Sequence, residues 1–144
     1  MHASAVAVEG TAILLRGPSG AGKSDLAFRM IGEGAMLIAD DYVALGAESG
    51  RLVCSAPERL RGLIELRGIG LMRMPTLASA PVGLVVDLVP RAAVERLPEP
   101  AHETILGLDL PLLRLHAFDH STPAKLRLAV RTLQQDETDR RRHG

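Results

Sequence analysis

The stretch GPSGAGKS, residues 17–24, sets three glycines, a lysine and a serine between the apolar run TAILL (11–15) and a segment with helical spacing. It satisfies G-x-x-x-x-G-K-[ST] at every position, in the strand-before, helix-after context that the pattern requires. The chemistry is phosphate binding. Gly17, Gly20 and Gly22, with Pro18, Ser19 and Ala21 between them, let the backbone curl. Successive N–H groups and the helix N-terminus then cradle anionic oxygens. Lys23 reaches the β- and γ-phosphates of a nucleoside triphosphate, and Ser24 offers its hydroxyl to Mg2+. The plain alternative is a glycine-rich turn with no ligand, and the matching flanks weigh against it. The motif names a donor but no acceptor.

An acceptor hydroxyl needs a base. MLIADD ends an apolar run in Asp40 and Asp41, the second eighteen residues past Lys23. P-loop proteins commonly hold Mg2+ with a carboxylate that follows an apolar strand. Side chains alternate along a strand, so the two carboxylates are read as having two roles. One serves the metal, and the other faces the acceptor and takes its proton. LIELRGIGLMRM (63–74) adds Glu65 and Arg67 beside Gly68 and Gly70, a charge pair in a loop that can approach phosphate. Taken alone, this segment reads rather as an exposed strand and turn.

The elements that must position these groups follow from the pattern of apolar residues and breakers. Residues 3–8 and 11–15 read as strands joined at Glu9-Gly10. A helix spans roughly 23–33, with Leu26, Ala27, Met30 and Ile31 on one face and Gly32 and Gly34 as stops. Residues 35–41 read as a buried strand, and 42–47 with 51–56 as a hairpin around Glu48-Ser49-Gly50. Residues 82–89 form another strong strand. Turn and loop follow, with prolines at 90, 98 and 100, then a strand at 110–118. Pro123 opens a helix to about 134. Residues 135–144 read as a charged, disordered tail in which Arg140, Arg141 and Arg142 are a solvated end. The whole is a single α/β domain over 1–134, a mostly β core with few helices.

Composition narrows the function. The chain has 144 residues, enough for one core. Seventeen basic and seventeen acidic residues cancel, and the absence of Trp with one Tyr and two Phe offers no base-stacking platform for a nucleic acid. No apolar run is long enough to span a membrane, and MHASAVAVEG is not a secretory signal. A single cysteine, Cys54, excludes an internal disulfide and fits a reducing cytoplasm.

His2, GPSGAGKS, ADD and IELRGIG, in this order and spacing over roughly residues 2 to 108, resemble the catalytic C-terminal domain of HPr kinase/phosphorylase, in its short form without the N-terminal domain. The resemblance implies a P-loop kinase of the phosphoenolpyruvate-carboxykinase-like type. It implies ATP- and Mg2+-dependent phosphorylation of a serine on HPr, the phosphocarrier of the phosphotransferase system, or on a related carrier. It also implies phosphorolysis in reverse and a cytoplasmic hexamer. Lys23 then contacts phosphate, and Ser24, Asp40 and Glu65 hold Mg2+. Asp41 is the general base, His2 attends Asp41 or phosphate, and Arg96 steadies the transferring charge. Where members carry a Pro-Gly-Arg turn important for dephosphorylation, this chain has TPAKL (122–126), and its last helix reads as short. Two other functions use the same loop: a small-molecule P-loop kinase, and a non-enzymatic ATP-sensing module. The paired aspartates favour an enzyme over the second.

Overall fold

Turn chemistry sets the strand pairing. Glu9-Gly10, Ser49-Gly50 and Leu106-Gly107 all take positive φ, as in the tight two-residue turns whose twist matches that of paired strands. In the computed structural model, which describes residues 1–143, they join β1 (Ser4–Val8) to β2 (Thr11–Arg16), β4 (Ala44–Glu48) to β5 (Arg51–Ser55) and β9 (Ala101–Ile105) to β10 (Leu108–Leu115). The remaining strands and α-helices are α1 (Lys23–Gly32), β3 (Met36–Ala39), β6 (Leu63–Leu66), β7 (Gly70–Arg73), β8 (Ser79–Leu88) and α2 (Thr122–His143). The fold is α/β, strand-rich with two helices, as the sequence pattern predicts.

The main sheet runs β3-β1-β2-β8-β10-β9, with β5 and its partner β4 joined to the early part of β8. β6 and β7 form a separate hairpin. β1 is antiparallel to both β2 and β3, while β8 is parallel to β2 and to β10. So β3, β2, β8 and β10 share one direction, and their C-terminal ends share one edge. That edge is where open α/β sheets bind ligands. β1 runs against them and delivers its N-terminal residues to the same place.

Both faces of the sheet are covered. Val6, Val8, Ile13, Leu15, Leu84 and Val86 pack on one side against Leu26, Ala27 and Met30 of α1 and Leu126 and Val130 of α2. Ala5, Ala7, Leu14, Ile38 and Val85 pack on the other against Leu52 and Cys54 of β5. The alternation along β1 is therefore small residues to one face and valines to the other. No helix among the described residues is long and apolar enough to cross a membrane.

Three sequence expectations change. The strand expected over 35–41 ends at Ala39, because Asp41 takes φ 66° and leaves extended geometry. The loop expected after Pro90 contains β9, whose alternating AHETI pairs with β10. α2 continues to His143 through the segment expected to be a disordered tail, so the last helix is long rather than short. Polar pairs support the extension. Gln135–Asp139 and Glu137–Arg141 lie four residues apart, and Arg51 reaches Glu137 at 3.0 Å.

Cys54 is fully buried, and burial pushes its thiol up from 9.0 to about 12. A raised folded-state pKa favours folding below the unfolded value, and that contribution is lost as pH climbs from 9 toward 12. A disulfide exchange reagent at pH 8 should leave Cys54 unlabelled in the native protein and label it fully in denaturant. Labelling at the same rate in both states would contradict this burial.

Candidate active site

The loop 17–22 leaves β2 and enters α1 through Gly22, whose φ of 99° is left-handed. A Cβ there would also come within 2.7 Å of Ala117 Cβ. Ser19, Gly20, Gly22, Lys23 and Ser24 line a cleft of about 610 Å3. Gly17, Pro18 and Ala21 belong to the loop without lining that cleft. The Lys23 ammonium is buried and donates to the carbonyls of Gly17 (2.6 Å) and Pro18 (3.4 Å). The side chain is thus folded along the inside of the loop, where an incoming anion would meet it.

Asp40 is the meeting point of four segments. Its buried carboxylate accepts from Ser4 Oγ (2.8 Å), Ser24 Oγ (2.6 Å) and the backbone N–H of Glu65 (3.0 Å). β1, the start of α1 and β6 are thereby tied to the end of β3. Buried charge needs such satisfaction, because an unpaired carboxylate would be expelled to water or neutralised. The Ser24 hydroxyl and the Asp40 carboxylate are adjacent hard oxygens, and Glu65 lines the same cleft. This donor set suits Mg2+, which takes few protein oxygens and completes its shell with water and phosphate.

Asp41 points elsewhere. A three-residue turn, closed by Tyr42 N–H to the Asp40 carbonyl at 2.8 Å, swings it out of line with its neighbour. Its backbone N–H donates to Ser4 Oγ at 3.1 Å. Its Oδ1 lies 2.7 Å from His2 Nε2 and 4.0 Å from Lys23 Nζ. A carboxylate can only accept here, so His2 Nε2 carries the proton. Two roles for the two aspartates were expected from strand alternation; the separation comes from the turn instead. A positive φ at a non-glycine residue stores about 1–3 kcal/mol and clusters at functional positions.

The segment IELRGIG is the β6–β7 hairpin. Arg67 and Ile69, in its connecting turn, line the cleft with Glu65. Arg96 is not brought there. It sits exposed in the loop between β8 and β9 and is not among the residues that line the cleft. Sequence reasoning missed Ser4, which holds both aspartates. The signal was present: His2 and Ser4 are two apart, so both face the side of β1 that Val6 and Val8 bury. It also missed Arg16, which bonds Asp87 of β8 (2.8 and 3.1 Å) and Glu103 of β9 (2.9 Å) just before the loop. Glu103 chiefly, and Asp87 after it, raise the pKa of this guanidinium and outweigh its partial burial.

A strand, a complete phosphate loop, a helix and a carboxylate bonded to the loop serine together define a P-loop domain. The family model for the HPr Serine kinase C-terminal domain matches residues 1–117, and the chain belongs to that family. It is 36% identical over 127 residues to the HPr kinase/phosphorylase of Geobacillus thermodenitrificans (strain NG80-2), covering 80% of this chain and 41% of the relative. It is 36% identical over 135 residues to that of Thermoanaerobacter sp. (strain X514), covering 91% and 43%. The chain therefore spans about two fifths of the length of these curated relatives. Among solved structures it resembles the Hpr(Ser) kinase/phosphatase from Coxiella burnetii, with TM-score 0.84 and 25% identity over 96% of this chain and 97% of the other.

Ser4→Ala removes a donor from Asp40 and an acceptor from the Asp41 N–H together. Leaving such groups unsatisfied costs about 1–3 kcal/mol each way. Urea unfolding should register a loss in this range with an unchanged m-value, and a midpoint equal to wild type would remove Ser4 from this role.

Proposed function

We propose that this domain transfers the γ-phosphoryl group of ATP to a serine hydroxyl of the phosphocarrier HPr or a related carrier. The observation that carries the reading is the position of Asp41. Its carboxylate is 51% exposed, held by His2 on one side and 4.0 Å from the loop lysine on the other. An acceptor hydroxyl arriving at the open side of the cleft meets this carboxylate beside the lysine.

The loop and Lys23 hold the triphosphate, the lysine exchanging its carbonyl partners for phosphate oxygens. Ser24 and Asp40, with Glu65 facing them, would hold Mg2+, which when bound neutralises charge on the β- and γ-phosphates. Asp41 orients the serine hydroxyl and takes its proton as the serine oxygen bonds to phosphorus and the bond to ADP breaks. His2 fixes the Asp41 carboxylate by donating to Oδ1, leaving the remaining oxygen for the hydroxyl. Arg67 lines the cleft and takes the charge-steadying part that the resemblance gave to Arg96. With inorganic phosphate as nucleophile the same geometry runs backward, and Asp41 returns the proton to serine. The family relatives are named for both directions. A hexameric assembly in the cytoplasm belongs to the same reading, and light scattering measures the first.

Asp41→Asn should retain ATP binding and lower kcat by about 10²–10⁴, whereas Lys23→Ala should weaken binding and transfer together. The assay is transfer of labelled phosphate from Mg2+-ATP to purified carrier. Label on a carrier serine supports the proposal. Label on a metabolite would make this a small-molecule kinase, and binding without transfer a nucleotide sensor. Near-normal turnover by Asp41→Asn would remove the base from Asp41.

A further inference from the structure

The loop after β10, residues 116–119, carries a half-exposed aromatic ring into the same cleft. Phe118 is 52% exposed and lines it beside Gly22 and Asp25. The exposure is built in, because the backbone around the ring is fastened from several directions. Arg29 of α1 donates to the Ala117 carbonyl, and Arg91 pairs with Asp119 at 2.7 Å. Thr122 Oγ1 donates to the His116 carbonyl at 2.7 Å. His116 Nδ1 lies 2.9 Å from the Val89 carbonyl and so donates to it, and the His116 ring meets Phe118 edge to face at 5.8 Å. A Cβ on Gly22 would come within 2.9 Å of the Phe118 ring, so the ring lies directly over the phosphate loop. Burying a ring is the default for phenylalanine; here rigid anchors hold one partly open.

The topology says which part of a ligand it would meet. β3, which is followed directly by Asp40 and Asp41, lies two strands from β2 on one side, and β10, which ends before Phe118, lies two strands away on the other. The reacting end of a triphosphate is with the aspartates, so the far end of the molecule points toward Phe118. The other phenylalanine, Phe28, follows Ser24 by one helical turn and shares its side of α1. Ser24 bonds Asp40, which puts Phe28 at the acceptor end. We propose that Phe118 is the shelf on which the base of the bound nucleotide stacks. This rests on the reading of the cleft as a nucleotide site. Stacking uses the π-face that every base has, without reading its hydrogen-bonding edge. The shelf therefore gives affinity for the base with little discrimination between adenine and guanine.

The test compares ATP with inorganic tripolyphosphate, which has the phosphates and no base, both with Mg2+ and measured by calorimetry. In the wild type ATP should bind more tightly. Phe118→Ala should weaken ATP roughly 5- to 100-fold, the range of base-on-aromatic stacking, and leave tripolyphosphate unchanged. The unchanged tripolyphosphate affinity also shows that the variant is folded with its loop intact. The chain has no Trp, so Phe118→Trp supplies a single reporter. It should restore ATP affinity, and its fluorescence should be quenched by ATP and GTP alike and not by tripolyphosphate. Equal loss of both ligands in Phe118→Ala would make the ring a prop for the loop and overturn the shelf. Equal wild-type affinity for the two ligands would overturn it as well. If the wild type bound neither, the nucleotide reading itself would fall and take the shelf with it.

Discussion

One buried carboxylate holds the site together. Asp40 closes the bonds that tie the end of β3 to Ser4 on β1, Ser24 at the mouth of α1 and the backbone of Glu65 on β6. These segments are distant in sequence and meet because the sheet directs them to one edge. A carboxylate in this setting is tolerated only while its donors are present. Losing one donor leaves a buried carboxylate short of one of its three hydrogen bonds, at a cost of about 1–3 kcal/mol. Everything else in the cleft is placed relative to this point, including the turn that aims Asp41 away from it.

The second organising feature is the antiparallel intruder β1. A sheet whose ligand edge is built from the ends of parallel strands has loops and helix starts there, as in other α/β folds. β1 adds the beginning of a strand, and with it His2 and Ser4, to the edge where β2, β3, β8 and β10 end. That is why a histidine beside the first residue meets an aspartate thirty-nine residues on. Arg16 does a related task on the other side, linking β2 to β8 and β9 just before the chain turns into the loop. The phosphate loop is thus gripped by an ionic cluster of one guanidinium and two carboxylates behind and a carboxylate hub in front.

Much of this was legible in the residues. The glycine loop, the helix after it, the strand pairs around Glu9-Gly10 and Ser49-Gly50, and the candidate groups Lys23, Ser24, Asp40 and Asp41 announce themselves by type and spacing, whereas Glu65 took its metal role from the family resemblance alone. What could not be read was anything decided by packing between distant segments. Asp41 leaves the strand because Ser4 and Tyr42 fix its turn, and no local pattern in MLIADD records that. β9 was hidden because AHETI is half polar and its turn is Leu106-Gly107, lacking the asparagine or aspartate that usually marks such hairpins. α2 was cut short because its last three turns look like a charged tail; its polar side chains instead pair along the helix and across to β5. Arg96 was placed by position in a motif, and position along the chain does not say which residues of a long loop line the cleft.

The pairing of β2 with β8 carries a kinetic consequence. Ile13 lies beside Leu84 and Arg16 beside Asp87, so the strand that presents the glycine loop is framed by one made some seventy residues later. Parallel partners this far apart must surrender the entropy of a long closed loop before any pairing repays it, and chains dominated by such contacts reach the native state in milliseconds to seconds rather than microseconds. During synthesis the glycine loop emerges early yet stays without its supporting frame until residues 84–87 are available. A fragment that ends before β8 therefore carries the glycine loop without the strand that frames it on that side.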